Sequence, residues 1–224
     1  MYIWVILATF IAMLAAFNLP VREDMRALTV EPLAEAHAAK LLAKHRAALA
    51  FAGTRFPPDN GSDLQTLCGS GTTGCEIIDT EYLPYAPFGF YDDPTFRSRV
   101  FCLKKGDPNV LEDCDTSGAR YLVTYGPVPR KWRSISDGRP SVDLVNAMNR
   151  MASKVKRFGY AVEVAQVEEE TGRPVENNHY GAVMMIRGRE TEGAFIPNAI
   201  AADADFQNQC VENYCLMYMS EIGS

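Results

Sequence analysis

Apolar residues follow three different spacings along the chain, and each spacing predicts a different element. The first is an unbroken run. From Tyr2 to Leu19 no residue is charged, and only Thr9 and Asn18 are polar. As a helix rising 1.5 Å per residue the run would measure about 27 Å, enough to cross a bilayer core. Tyr2 and Trp4 stand at one edge, where amphipathic rings favour the headgroup level. Pro20 and Val21-Arg22-Glu23-Asp24 end it. The expectation is a single-pass transmembrane anchor over 1–20, with the lipid bilayer as its partner. A cleaved secretory signal is one rival. It usually opens on a basic region, which this run lacks, and Leu14-Ala15-Ala16 is a poor cleavage match. A buried core helix is the other rival, disfavoured by all-round hydrophobicity in a domain of this size.

The second spacing is helical. Thr29-Val30-Glu31-Pro32 reads as a helix start with proline near the first position, and Gly53 reads as its stop after Ala52. Leu33, Leu41 and Leu49 recur every eight residues, His37 and His45 fall between them on the same face, and alanines fill much of the rest. Residues 21–53 are therefore a juxtamembrane segment leading into an Ala-rich helix. A second helix is predicted over Ser141–Phe158, with Leu144, Val145, Met148, Met151 and Val155 on one face and Gly159 as cap.

The third spacing is that of strands. Ala119–Tyr125 is β-branched and aromatic, with Gly126-Pro127-Val128-Pro129 ending it. Tyr160–Val167 alternates, and Tyr180–Ile186 and Arg99–Leu103 are further strand candidates. Short apolar runs at Ala194–Pro197 and Cys215–Met219 close the chain. Together these elements predict an α+β fold: a transmembrane helix, an Ala-rich helix, then a mostly antiparallel sheet with one further helix and disulfide-stapled loops.

Apart from Arg99–Leu103, residues Thr54–Gly118 fit none of the three spacings. Prolines, glycines and the aromatic residues Tyr82, Tyr85, Phe88, Phe90, Tyr91 and Phe96 crowd there, which points to a packed, cysteine-rich insertion over 54–118 within a domain spanning 54–224. Asn60-Gly61-Ser62 formally matches a glycosylation sequon. The cysteines form three local pairs, Cys68 with Cys75, Cys102 with Cys114, and Cys210 with Cys215. Their even number in loop-rich sequence points to structural disulfides and an oxidising compartment, although six cysteines permit about fifteen pairings. Buried free thiols are the alternative. Arg22, Arg26 and Lys40 follow the apolar run, and the positive-inside rule alone would place the domain in the cytoplasm. The cysteines outweigh that signal. The expected location is the bacterial inner membrane with the C-terminal domain in the periplasm.

Composition narrows function mainly by exclusion. A net charge of −6, a pI near 5.2 and no basic stripe argue against a nucleic-acid partner. Phosphate-binding glycine loops, Gly-x-Ser-x-Gly elbows and His-Glu-x-x-His motifs do not occur in the sequence. His37 and His45 lie about 12 Å apart along a helix, too far to share a metal ion. Glu168-Glu169-Glu170 reads as a solvated turn. His179, after Asn177-Asn178, is conceivable as a general base, but a polar turn residue is the simpler account. Catalytic residues, cofactors and metals are thus expected to be none.

Several stretches resemble a known family. The anchor with Trp4, Val21-Arg22-Glu23-Asp24-Met25-Arg26, Glu31-Pro32-Leu33-Ala34, Arg120–Gly126, His179-Tyr180-Gly181-Ala182-Val183 and Phe195-Ile196-Pro197 are similar to the membrane-anchored PilM family of type IVb and conjugative thin-pilus operons (not the actin-like protein of that name). The resemblance covers both ends of the chain and skips much of 54–118. It implies a non-catalytic inner-membrane and periplasmic component of pilus assembly, with other pilus-assembly proteins as partners. A pilin-like minor subunit is the alternative, although Val5 stands where a mature pilin carries glutamate. A membrane-anchored periplasmic hydrolase using His179 is the second.

Overall fold

The computed structural model describes residues 30–55, 67–69, 71–105, 107–115, 119–133, 140–151, 157–164, 179–186, 189–195, 200, 203–210 and 215–222. The expected anchor over 1–20 lies outside the described residues. Among those described, no helix is long and apolar enough to cross a membrane.

The Ala-rich stretch forms helix α1 over residues 30–55. It runs past Gly53, and the Thr54 hydroxyl donates to the Phe51 carbonyl 2.7 Å away, inside the last turn. Strands β1 (Gly74–Glu76), β2 (Arg97–Lys104), β3 (Asp107–Leu111), β4 (Ala119–Pro127), β5 (Arg157–Val164), β6 (His179–Ile186), β7 (Arg189–Phe195) and β8 (Cys215–Glu221) make one sheet. Its order is β1-β2-β4-β8-β5-β6-β7, with β3 also on β2, and every pairing is antiparallel. The fold is therefore α+β on an antiparallel sheet. The 54–118 stretch supplies β1, β2 and β3 to that sheet.

Three further expectations change. Helix α3 is Val142–Met151, shorter than the predicted Ser141–Phe158, because Arg157, Phe158 and Gly159 pair with Met219, Tyr218 and Met217 as the start of β5. Gly159 is thus a strand residue and not a helix cap. Strand β4 continues through Gly126 and Pro127, which pair with Leu216 and Cys215. A side chain at Gly126 would meet Phe96, whose Cδ1 lies 2.2 Å from the position of a Cβ, so the strand persists where glycine makes room for a ring. Besides α3 there are a helical turn α2 (Asp79–Tyr82) and helix α4 (Ala204–Cys210), neither announced by a long period.

Period-two alternation divides the side chains of β2, β4 and β8 between two faces. Val100, Cys102 and Leu122 face the C-terminal half of α1, packing with Ala47, Ala48, Phe51 and Ala52. Leu216 and Tyr218 face its N-terminal half and α3, packing with Ala34, Ala38, Leu41, Leu144 and Met148. The alanine stripe is buried in the protein's own core. On the opposite face Phe101, Leu103, Val123, Tyr125, Met217 and Met219 meet Ile200, Phe206 and Cys210. The cysteines pair as near neighbours, Cys68–Cys75, Cys102–Cys114 and Cys210–Cys215. The first ties residues 67–69 to β1, the second joins β2 to the chain after β3, and the third joins the end of α4 to the start of β8.

Candidate functional site

The chemistry-bearing side chains that the fold brings together lie along the seam between α1 and the sheet. His45 points from α1 into the sheet and is fully buried. Its Nδ1 lies 3.0 Å from Thr124 Oγ1 and its Nε2 2.8 Å from Ser220 Oγ, while Thr124 Oγ1 lies 2.9 Å from Ser98 Oγ. Strands β2, β4 and β8 thus each contribute one hydroxyl. Either neutral tautomer satisfies both ring nitrogens, because each hydroxyl can donate or accept. Burial, aided by the Arg46 charge, pushes the His45 pKa down to about 3. An imidazole held neutral and so weakly basic is poorly matched to proton transfer near neutral pH. Its hydrogen bonds fix the rotation of α1 on the sheet.

One residue earlier on the helix, Lys44 is buried as well. Its Nζ lies 3.0 Å from Asp92 Oδ1 and 3.4 Å from Asp79 Oδ1, donates to the Phe96 carbonyl at 2.5 Å, and sits 5.2 Å from the centre of the Tyr82 ring. The Tyr82 hydroxyl donates to Asp79 at 2.8 Å. Partial burial raises the Asp79 pKa, but the hydrogen bond from Tyr82 and the Lys44 charge outweigh it and hold the carboxyl below its ordinary range. Burial and the two carboxylates push the Tyr82 phenol up. One ammonium therefore pins both ends of the segment 79–92 against α1.

Between those pins the segment turns outward. The Phe90 amide donates to the Pro87 carbonyl at 3.0 Å, and Gly89 has φ +77°, which is the geometry of a turn requiring glycine at its third position. The turn lifts Phe88 fully into solvent. Ile78, Leu83, Tyr85 and Tyr91 are exposed with it.

His37 lies with its ring edge on Phe96, centroids 5.3 Å apart, away from the His45 network. Burial lowers its pKa, against the nearby Asp93 charge. The two helix histidines do not converge, and among the described residues no three His, Cys, Asp or Glu side chains could hold a metal ion. His179 lies on β6, and its side chain is outside the described residues. Sequence reasoning missed Lys44, Asp79, Asp92, Thr124, Ser98 and Ser220. A signal for Lys44 was present: it falls among helix positions 41, 42, 45, 47 and 48, all of which are buried. A lysine there needs partners. No family model, curated protein or solved structure matches the chain.

Proposed function

We propose that this protein is a non-catalytic component of type IVb or conjugative pilus assembly. Residues 2–19 hold it in the inner membrane and the α+β domain stands in the periplasm, where other assembly proteins are its partners. The observation that carries this reading is the double fixation of α1. His45 and Lys44 lock the helix to the sheet and to the 79–92 segment, so α1 and the sheet it lies on are fixed to each other. A first helix so fixed suits a domain that must present one set surface to its partners. The disulfides agree with an oxidising compartment.

A pilin-like subunit is the second reading, and one feature favours it. A pilin has a long N-terminal helix, then a sheet, then a C-terminal disulfide loop, and here a helix lies on an antiparallel sheet with the Cys210–Cys215 disulfide closing at the first residue of β8. Shearing surface fibres from the producing cell and immunoblotting both fractions separates the two. Retention in the inner membrane is expected for an assembly component. Recovery in the fibres would make the protein a subunit and end the first reading.

A further inference from the structure

Three disulfides staple the chain, none joins residues more than 12 apart, and none includes a residue of α1. Where α1 meets the 79–92 segment, a lysine and a carboxyl group are in contact instead. Lys44 Nζ lies 3.0 Å from Asp92 Oδ1, with the Lys44 side chain 2% exposed and that of Asp92 17% exposed. The oxygen is itself buried, and no group among the described residues meets it in hydrogen-bonding geometry, the ammonium included. A buried oxygen left so is costly. The ammonium directs its hydrogen bonds to the Phe96 carbonyl at 2.5 Å and to Asp79 Oδ1 at 3.4 Å. Its nitrogen therefore touches Asp92 with no hydrogen bond between them.

Asp79 is placed differently. Its side chain is 53% exposed, and its Oδ1 accepts from Lys44 and from the Tyr82 hydroxyl, the latter at 2.8 Å. It therefore connects the buried nitrogen to water. The buried Tyr82 ring helps to enclose that nitrogen, its centre 5.2 Å from Nζ. A nitrogen held against one carboxyl group, with a second carboxylate positioned to carry protons, is the arrangement that amide condensation needs.

We infer that Lys44 and Asp92 condense in the folded chain to an isopeptide bond, with Asp79 as the proton carrier. The Lys44 nitrogen gives a proton to Asp79 and attacks Cγ of Asp92. The C–N bond forms and one Asp92 C–O bond breaks. Of the three ammonium protons, one stays on the amide nitrogen and two leave with that oxygen as water, one of them by way of Asp79. One positive and one negative charge vanish together, and no co-reactant is consumed. The product removes the cost of keeping an ion pair out of water, which a neutral amide does not bear. Free amines and acids do not condense readily in water, but reacting groups held about 3–3.5 Å apart reach effective molarities of about 10⁵–10⁸ M. The bond would tie α1 covalently to the chain leading into β2, which no disulfide does. The inference does not rest on the pilus reading.

The test uses the full-length protein in detergent, with the native disulfides verified by intact mass before it is reduced, alkylated and digested with trypsin. Trypsin cuts after lysine and arginine, so an unlinked chain gives residues 41–44 and 56–97 as separate peptides. An acylated Lys44 is not cut. The expected product is therefore 41–46 joined to 56–97, lighter than the two peptides together by one water, with fragment ions placing the bond between Lys44 and Asp92. Asp92→Ala should give separate peptides only. Asp79→Asn, which can still accept from Tyr82, should lose most of the joined product while keeping its disulfides. Wild-type protein with native disulfides that yields only separate peptides overturns the proposal, and so does a bond placed on Asp79 or Asp93. Undiminished product from Asp79→Asn overturns the part given to Asp79.

Discussion

The two faces of the central strands are closed by different means. On the α1 face, buried polar groups join helix to sheet: His45 with hydroxyls from three strands, and Lys44 with Asp92 and the Phe96 carbonyl. On the α4 face the contact is apolar, Phe206 and Ile200 against Phe101, Tyr125, Met217 and Met219, and charges appear only at the rim. Apolar contact favours proximity but tolerates small rotations and slides. A buried hydrogen bond does not, because a shift leaves a donor or acceptor bare at a cost of about 1–3 kcal/mol. The α1 face is therefore specified in register, whereas the α4 face is specified mainly in closeness, with the Cys210–Cys215 disulfide as a covalent limit on how far α4 can move from β8.

The largest effect expected is at the seam. His45→Ala opens a cavity and strips Thr124 and Ser220 of their shared partner, so unfolding free energy should drop by about 4 kcal/mol in denaturant titration. Phe206→Ala, on the apolar face, should cost about 3 kcal/mol by cavity formation alone. Similar losses do not distinguish the faces, but pH does. Folding holds the His45 pKa near 3, below its ordinary 6.5. Below pH 6.5 the unfolded chain binds a proton that the folded chain refuses. Stability from this group is therefore complete above pH 6.5 and declines as pH falls toward 3. Phe206→Ala should keep that acid sensitivity, and His45→Ala should lose a large part of it. Parallel pH profiles for the two variants would erase the contrast.

A smaller effect tests how closely the seam is packed. Gly126→Ala on β4 drives a methyl into the Phe96 ring, which also touches His37, and should cost about 2 kcal/mol by overpacking. Gly53→Ala is its natural control. A Cβ at Gly53 meets nothing within 4 Å, so this change in an exposed helical turn should stabilise by about 0.5–1 kcal/mol. If Gly126→Ala is as benign as Gly53→Ala, the 79–96 segment is not seated on β4 as described.

These particulars also show what a linear reading can reach. Wherever a periodic pattern decided the structure, it was legible: the Ala-rich helix, strand β4 and the local cysteine pairs all follow from spacing. Helix α3 was overextended because Val155 and Phe158 continue its apolar pattern, and only pairing with Tyr218 makes Phe158 a strand residue. The seam itself was invisible. Ser98, Thr124 and Ser220 are ordinary strand residues, and they become a network only when β2, β4 and β8 come side by side beneath His45. Lys44 differs, since its place on the buried face predicts a partner, but Asp79 and Asp92 lie too far along the chain for spacing to name them. The polar contacts were hidden because they depend on tertiary adjacency, which no local period encodes.

The smallest expected effect bears on the rim of the apolar face. Arg99 pairs with Asp203 Oδ2 at 3.2 Å and with Asp205, bridging β2 to the start of α4. Asp203 Oδ1 also accepts the Phe206 amide at 3.0 Å, so one carboxylate both caps the helix and meets the arginine. Removing Arg99 leaves that cap in place, and Asp205 is well exposed to water. Arg99→Ala should therefore cost no more than about 1 kcal/mol, and added salt should reduce the difference from the wild type. A loss near that of Phe206→Ala, insensitive to salt, would mean that α4 is held by a desolvated ion pair. Both faces would then be fixed by polar register, and the distinction between a locked seam and a merely close one would have to be abandoned.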